Sequence, residues 1–148
     1  LATKVVPLIS SGTAGPLGVV HLPRLWTKLT LGSHDMLPSG YDESGQGFDQ
    51  MTLDALGLDR SKTMQFVKDK HPTYMEFEKY VKEQAGSKLD ASAIEKHNRA
   101  ILSYKHSSEL GKTMRGSSKI DDEKVSDGVT LNTVEDLDEL HKQVEAAH

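Results

Sequence analysis

Three side chains at helical spacing, His21, Arg24 and Lys28, bring an imidazole, a guanidinium and an ammonium together on one stretch of chain. A guanidinium partly withdrawn from water can clamp a carboxylate or phosphate through two parallel hydrogen bonds. An imidazole, with an ordinary pKa of about 6.5, can exchange a proton near neutrality. Arg24 either grips an anionic ligand or pairs with an internal acid such as Asp49, and His21 is a candidate base that Asp49 could orient. A second set lies between residues 34 and 49, where His34, Asp35, Tyr41, Asp42, Glu43 and Asp49 cluster in a turn-rich stretch. His34 and Tyr41 are candidate ligand contacts. The third set is His97 and Asn98, which share a helical face with Ile94 and Ile101 because positions three, four and seven apart point to one side. Polar groups on an apolar face need partners, either within the protein or in a ligand lining a pocket.

Other chemistries lack the residues they require. The chain has no cysteine, which excludes disulfides, thiolate nucleophiles, iron–sulfur clusters and cysteine zinc sites. His21 and His34 with a carboxylate would resemble a facial metal triad, but no His-Glu-x-x-His pair or Asp-rich calcium loop is present, so no metal is expected. Gly45-Gln46-Gly47 lacks the third glycine of a dinucleotide fingerprint, there is no phosphate-binding Gly-Lys-Ser/Thr loop, and Ser44 lacks the glycine setting of a nucleophile elbow. No cofactor is expected. The surviving class is cofactor-independent acid/base chemistry of the lyase, isomerase or hydratase kind, and whether the chain is an enzyme at all stays open.

The elements that must position these groups read as helices. Leu22, Leu25, Trp26 and Leu29 repeat at helical spacing, with Pro23 suited to a first turn and Gly32 to a stop. Phe48 to Leu56 ends at Gly57; Asp59 opens a third helix that stops at His71-Pro72. Thr73 and Glu76 have capping-box spacing for a fourth, with Tyr74, Phe77, Tyr80 and Val81 inward and Glu78 and Lys82 paired outward. Ser92 and Glu95 repeat that spacing for a fifth helix reaching about Gly111. A last helix begins near Asn132, burying Val134, Leu137, Leu140 and Val144, with His141 packed beside them. The expectation is an all-α bundle of about five to six helices in one domain over 1–148, with an extended arm at 1–20 and loops at 32–47, which is Gly-rich, and 111–131.

Net charge is −4, divided as +2 over residues 1–40 and −6 over 119–148. No domain-scale basic surface exists, so nucleic acid is an unsuitable partner. No apolar run approaches the ~20 residues of a bilayer span, and no charged-then-apolar leader is visible. A cytoplasmic protein away from membranes is therefore expected. The expected partner is a small anionic ligand; a homo-oligomer or a protein partner docking around Trp26 and the Pro/Gly arm is the competing reading.

Several of these residues fall in one pattern: Gly18-Val19-Val20-His21-Leu22-Pro23-Arg24-Leu25, Gly47-Phe48-Asp49, Leu53 with Leu56-Gly57-Leu58-Asp59, and Ile94 with Asn98. Over roughly residues 7–143 the chain resembles the bacterial family known as domain of unknown function 5069. The Leu-Pro-Arg turn followed by Lys28, and the Gly-Phe-Asp start of the second helix, are its most specific pieces. Thr27 stands where that family usually has an acid, and His97 where it often has Trp. The resemblance implies a small soluble helical bacterial protein and singles out Arg24, Lys28, Asp49 and Asn98; it implies no activity.

Overall fold

The computed structural model describes residues 3–148, and among these the regular structure is helical, with no strand. Seven α-helices follow in order: α1 (Leu22–Ser33), α2 (Phe48–Leu56), α3 (Arg60–Lys70), α4 (Tyr74–Ala85), α5 (Ala91–Ser103), α6 (Ser108–Ser117) and α7 (Gly128–Ala146), with a short 3₁₀ turn at Gly86–Lys88 before α5. Residues 3–20 carry no helix and run along the others as an arm, joined by an isolated antiparallel bridge between Ala14 and Val20.

α1 is central. Leu22, Leu25 and Leu29 are buried in a core with Leu53 and Leu56 of α2, Val67 of α3 and Phe77 and Val81 of α4. Each such side chain removed from water contributes about 1.5–3 kcal/mol. α1 packs on α3 and α4, α2 on α5, and α7 on α5 and α6. A smaller cluster of Val20, Phe48 and Ile101 forms where arm, α2 and α5 meet.

Helix boundaries follow capping chemistry. Asp59 and Thr73 cap α3 and α4 as their spacing predicts, the latter with the full reciprocal box to Glu76. Gly57 closes α2 in the left-handed region at φ 66°, a conformation open to glycine without strain.

The count of five to six helices needs correcting to seven. α5 is capped by Asp90, which accepts from the Ala93 N–H, so the Ser92–Glu95 box is not used, and the helix stops at Ser103 rather than Gly111. The expected 111–131 loop contains most of α6, started by the Ser107 hydroxyl, and the first turn of α7, started by the Asp127 carboxylate. At the other end of the chain, α1 runs through Gly32 to Ser33, so the link to α2 spans 34–47.

Two expected faces are also reversed. Glu78 is fully buried, accepting from the Leu17 N–H (3.2 Å) and the Tyr74 hydroxyl (2.7 Å), and is not paired outward with Lys82. On α7, Leu137, Leu140 and Val144 are 52%, 36% and 47% exposed, while Leu131 and Asp136 face in. His141 lies in solvent with them, within 4.0 Å of Glu145. Trp26 is not a free docking anchor, because its indole N–H donates to the Pro72 carbonyl and its ring meets Tyr74 edge-on.

Candidate functional site

The candidate residues separate into two buried clusters, both reached from α1. The first is His21, Asp49 and Lys28. His21 sits at the N-cap of α1 in the left-handed region (φ 71°), with its backbone N–H donated to Thr13 and its side chain turned away from the helix end. A non-glycine residue in that region carries strain that surrounding contacts must hold. Here the contact is Asp49 of α2: His21 Nε2 lies 2.6 Å from Asp49 Oδ1, and both side chains are almost wholly buried. The other carboxylate oxygen accepts from Lys28 Nζ at 2.5 Å and from the Gly45 N–H at 2.7 Å. Asp49 also stands in the first turn of α2, where the helix dipole favours negative charge.

These neighbours fix the protonation. Burial pushes the Asp49 pKa up, but the His21 hydrogen bond and the Lys28 charge outweigh it and bring it down to about 2. Burial, working against Asp49, lowers the pKa of His21 below its ordinary value. Burial thus favours a neutral imidazole beside an ionised carboxylate, which can only accept, and in that state the His21 proton resides on Nε2. Nδ1 is left as a bare lone pair, buried and without a protein partner. The Phe48 ring packs edge-on against the imidazole, 5.6 Å between centroids.

The second cluster is Arg24, Asp136 and Tyr41. Arg24 pairs two-pronged with Asp136 of α7 (2.6 and 3.2 Å), not with Asp49. Its Nη1 also donates to the carbonyls of Pro7 and Ile9 at 2.8 and 2.9 Å, so the guanidinium ties arm, α1 and α7 together. Tyr41 donates its hydroxyl to Asp136 at 2.7 Å, and burial with that carboxylate raises the phenol pKa. These residues form one side of an open groove of about 620 Å3 between the 39–41 turn, the end of α6 and α7. Glu135, Asp138 and Glu139 line the same groove, with Lys119 and Lys142. Partial withdrawal from water, with Asp136 beside it, raises the Glu135 pKa.

The remaining candidates are placed elsewhere. His97 is buried as the helical face predicts, with Nε2 donating to the Val20 carbonyl at 3.0 Å and lying 3.4 Å from the Thr52 hydroxyl. Asn98 accepts from the Val20 N–H (3.0 Å) and donates to the Gly18 carbonyl (2.7 Å). Both therefore hold residues 18–20 in place and spend their polar atoms on backbone rather than on a cavity. His34 is at the opposite end of α1 from His21, about 20 Å away by helical rise, and its ring stacks on His71. The two imidazoles of the imagined metal triad thus do not meet, and no group of three His, Asp or Glu side chains suited to a metal ion occurs among the described residues.

Asp136 carries little signal in the sequence, being one of nine acids in residues 119–148. Its only sequence signal is weak: it lies about 100° around α7 from Leu137, off that apolar stripe. Comparison with family models and with curated proteins finds no match to this chain.

Proposed function

We propose that the chain binds a small polar molecule between its helices and carries out cofactor-independent acid/base chemistry of the lyase, isomerase or hydratase kind, with His21 as the base and Asp49 as the residue that orients it. The observation that supports this reading is the His21–Asp49 pair: a buried imidazole with one nitrogen committed to a carboxylate and the other unpartnered. A proton-abstracting histidine needs that arrangement, with tautomer and ring orientation fixed by the acid behind it. On this reading the ligand's polar body occupies the groove beside Arg24, one helical turn along α1 from His21, although neither His21 nor Asp49 lines that groove.

The ligand is polar rather than strongly anionic on this reading. The Arg24 fork is filled by Asp136 and two carbonyls, and Glu135, Asp138 and Glu139 would repel an anion. We read the chain as a cytoplasmic member of the bacterial family it resembles, on Gly18–Leu25, Gly47–Asp49 and Asn98. The test is a thermal-shift panel of small polar compounds, followed by incubation of each hit in deuterated water. Deuterium incorporation into the ligand, lost in His21→Gln and retained in an exposed control such as His148→Gln, supports the reading. Binding without exchange in the wild-type chain contradicts the catalytic half.

A non-catalytic interaction module is the second reading, favoured by the outward-facing Leu137, Leu140 and Val144 of α7. Exposed apolar side chains aligned on one helix mark interaction sites when they are contiguous. Sedimentation of the wild-type chain and of Leu140→Glu separates the two: a monomer in both cases leaves self-association without support.

A further inference from the structure

We propose that His34 and His71 form a two-imidazole binding site for a divalent transition-metal ion of the Zn2+ or Ni2+ kind at the shared C-terminal end of α1 and α3. This site is independent of the His21–Asp49 pair and of the reading built on it. His34 is the residue that closes α1 and His71 the residue that closes α3, two helices packed against each other. Their rings lie 4.9 Å apart between centroids and 25° from parallel, and both residues are exposed. Two nitrogens on one tetrahedral Zn2+ ion, each at about 2.0–2.1 Å, stand roughly 3.4 Å apart. Both rings are exposed, and sharing one ion requires them to turn out of their stack so that the nitrogen lone pairs converge.

Three further features favour a cation there. The C-terminal ends of both helices present carbonyl oxygens and the negative ends of their dipoles to the same corner. Asp35, next to His34, keeps its carboxylate 95% exposed while touching Lys4 at 3.4 Å. The backbone beneath His71 is held: it adopts φ 45° immediately before Pro72, and the Pro72 carbonyl is fixed by the Trp26 indole. Lys68 and Lys70 in the last turn of α3 oppose a dication, which sets imidazole coordination, not bulk charge, as the source of affinity. With two protein ligands, the remaining coordination positions belong to water, and the ion is open to an additional ligand.

The experiment titrates the metal-free chain with Zn2+ by calorimetry and with Ni2+ by NMR, following paramagnetic broadening of backbone amides. Broadening strongest at residues 33–36, 70, 71 and 73 is expected. Zn2+ affinity should fall by at least ~10-fold, the least that loss of even a supporting contact to a metal ligand costs, in both His34→Gln and His71→Asn. Asparagine tolerates the left-handed backbone at position 71, so that variant keeps the fold. His141→Gln should leave the affinity unchanged. Broadening centred on His106, His141 or His148, or unchanged Zn2+ affinity in either of the two site variants, overturns the proposal.

Discussion

Replacing Asp136 with alanine isolates the interaction that the structure makes most costly to break. The Arg24 and Asp136 side chains are only 8% and 5% exposed, so the variant strands a guanidinium inside the protein. Removing one partner of a buried ion pair typically costs about 3–5 kcal/mol. Arg24 keeps the Pro7 and Ile9 carbonyls as acceptors, which places its share near the lower end. Tyr41 loses the acceptor of its half-buried hydroxyl, adding about 1 kcal/mol. The expected loss is therefore ~4 kcal/mol, a large part of the ~5–15 kcal/mol by which domains are stable. For a chain of this length it corresponds to a fall in Tm of about 8–16 °C. Urea unfolding followed by circular dichroism measures it, with the slope against urea compared to confirm that the denatured state is unchanged. A loss below ~1 kcal/mol would match an exposed ion pair, and would refute the claim that Arg24 and Asp136 clasp the arm and α7 in a water-poor interior.

The pH dependence has a worked sign. His21 has its folded pKa depressed, so the unfolded chain binds a proton that the folded chain resists once the pH drops below about 6.5. Stability is full above that value and declines as the pH falls toward the folded pKa. His97 adds in the same direction, and His21→Gln should flatten the slope between pH 6.5 and 5 in acid-unfolding titrations. Asp49, lowered to about 2, adds a second contribution that is complete above its ordinary carboxylate range and is lost as the pH falls through about 2. Gly15→Ala should destabilise by about 1–3 kcal/mol in the same urea assay, because its new methyl group would lie 2.6 Å from the Tyr74 ring and 2.7 Å from Glu78 Oε2. Asn98→Ala removes the bonds to Val20 and Gly18 and should cost about 1–3 kcal/mol. Hydrogen exchange at the Val20 amide, with only a small change at Leu25, distinguishes that local release from general unfolding.

Local signals made much of this architecture legible. The leucines and Pro23 of α1, the Asp59 cap and the Thr73–Glu76 box each act within four residues, and the structure uses all of them. Where two local signals competed, spacing did not decide: Asp90 and Ser92 can both cap, and the Asp90 carboxylate two residues upstream took the role. α7 shows why an apolar stripe does not by itself name the inward face. Its Leu137, Leu140 and Val144 align as a core face would, yet Arg24 draws in Asp136 from 112 residues away and turns that stripe to solvent.

The candidate site was legible in part for the same reason. His21, Arg24 and Lys28 stood out because one helix displays them together, and Asp49 because it lies in the next helical start. Their pairing was not legible, since which acid meets which base depends on how α2 and α7 pack on α1. Asp49 took the imidazole and the ammonium, and Asp136 the guanidinium. His71 carried no signal beyond its place before a proline, and only the packing of α3 on α1 brings it to His34.

The central claim is that His21 is a neutral base whose proton is fixed on Nε2 by ionised Asp49, leaving Nδ1 free. Nitrogen-15 NMR of the histidine rings at pH 7, with His21 assigned by comparison with His21→Gln, reads that state directly. The account predicts a neutral ring protonated at Nε2, shifting to a mixture of tautomers in Asp49→Asn. An imidazolium, or a ring protonated at Nδ1 in the wild-type chain, would contradict it.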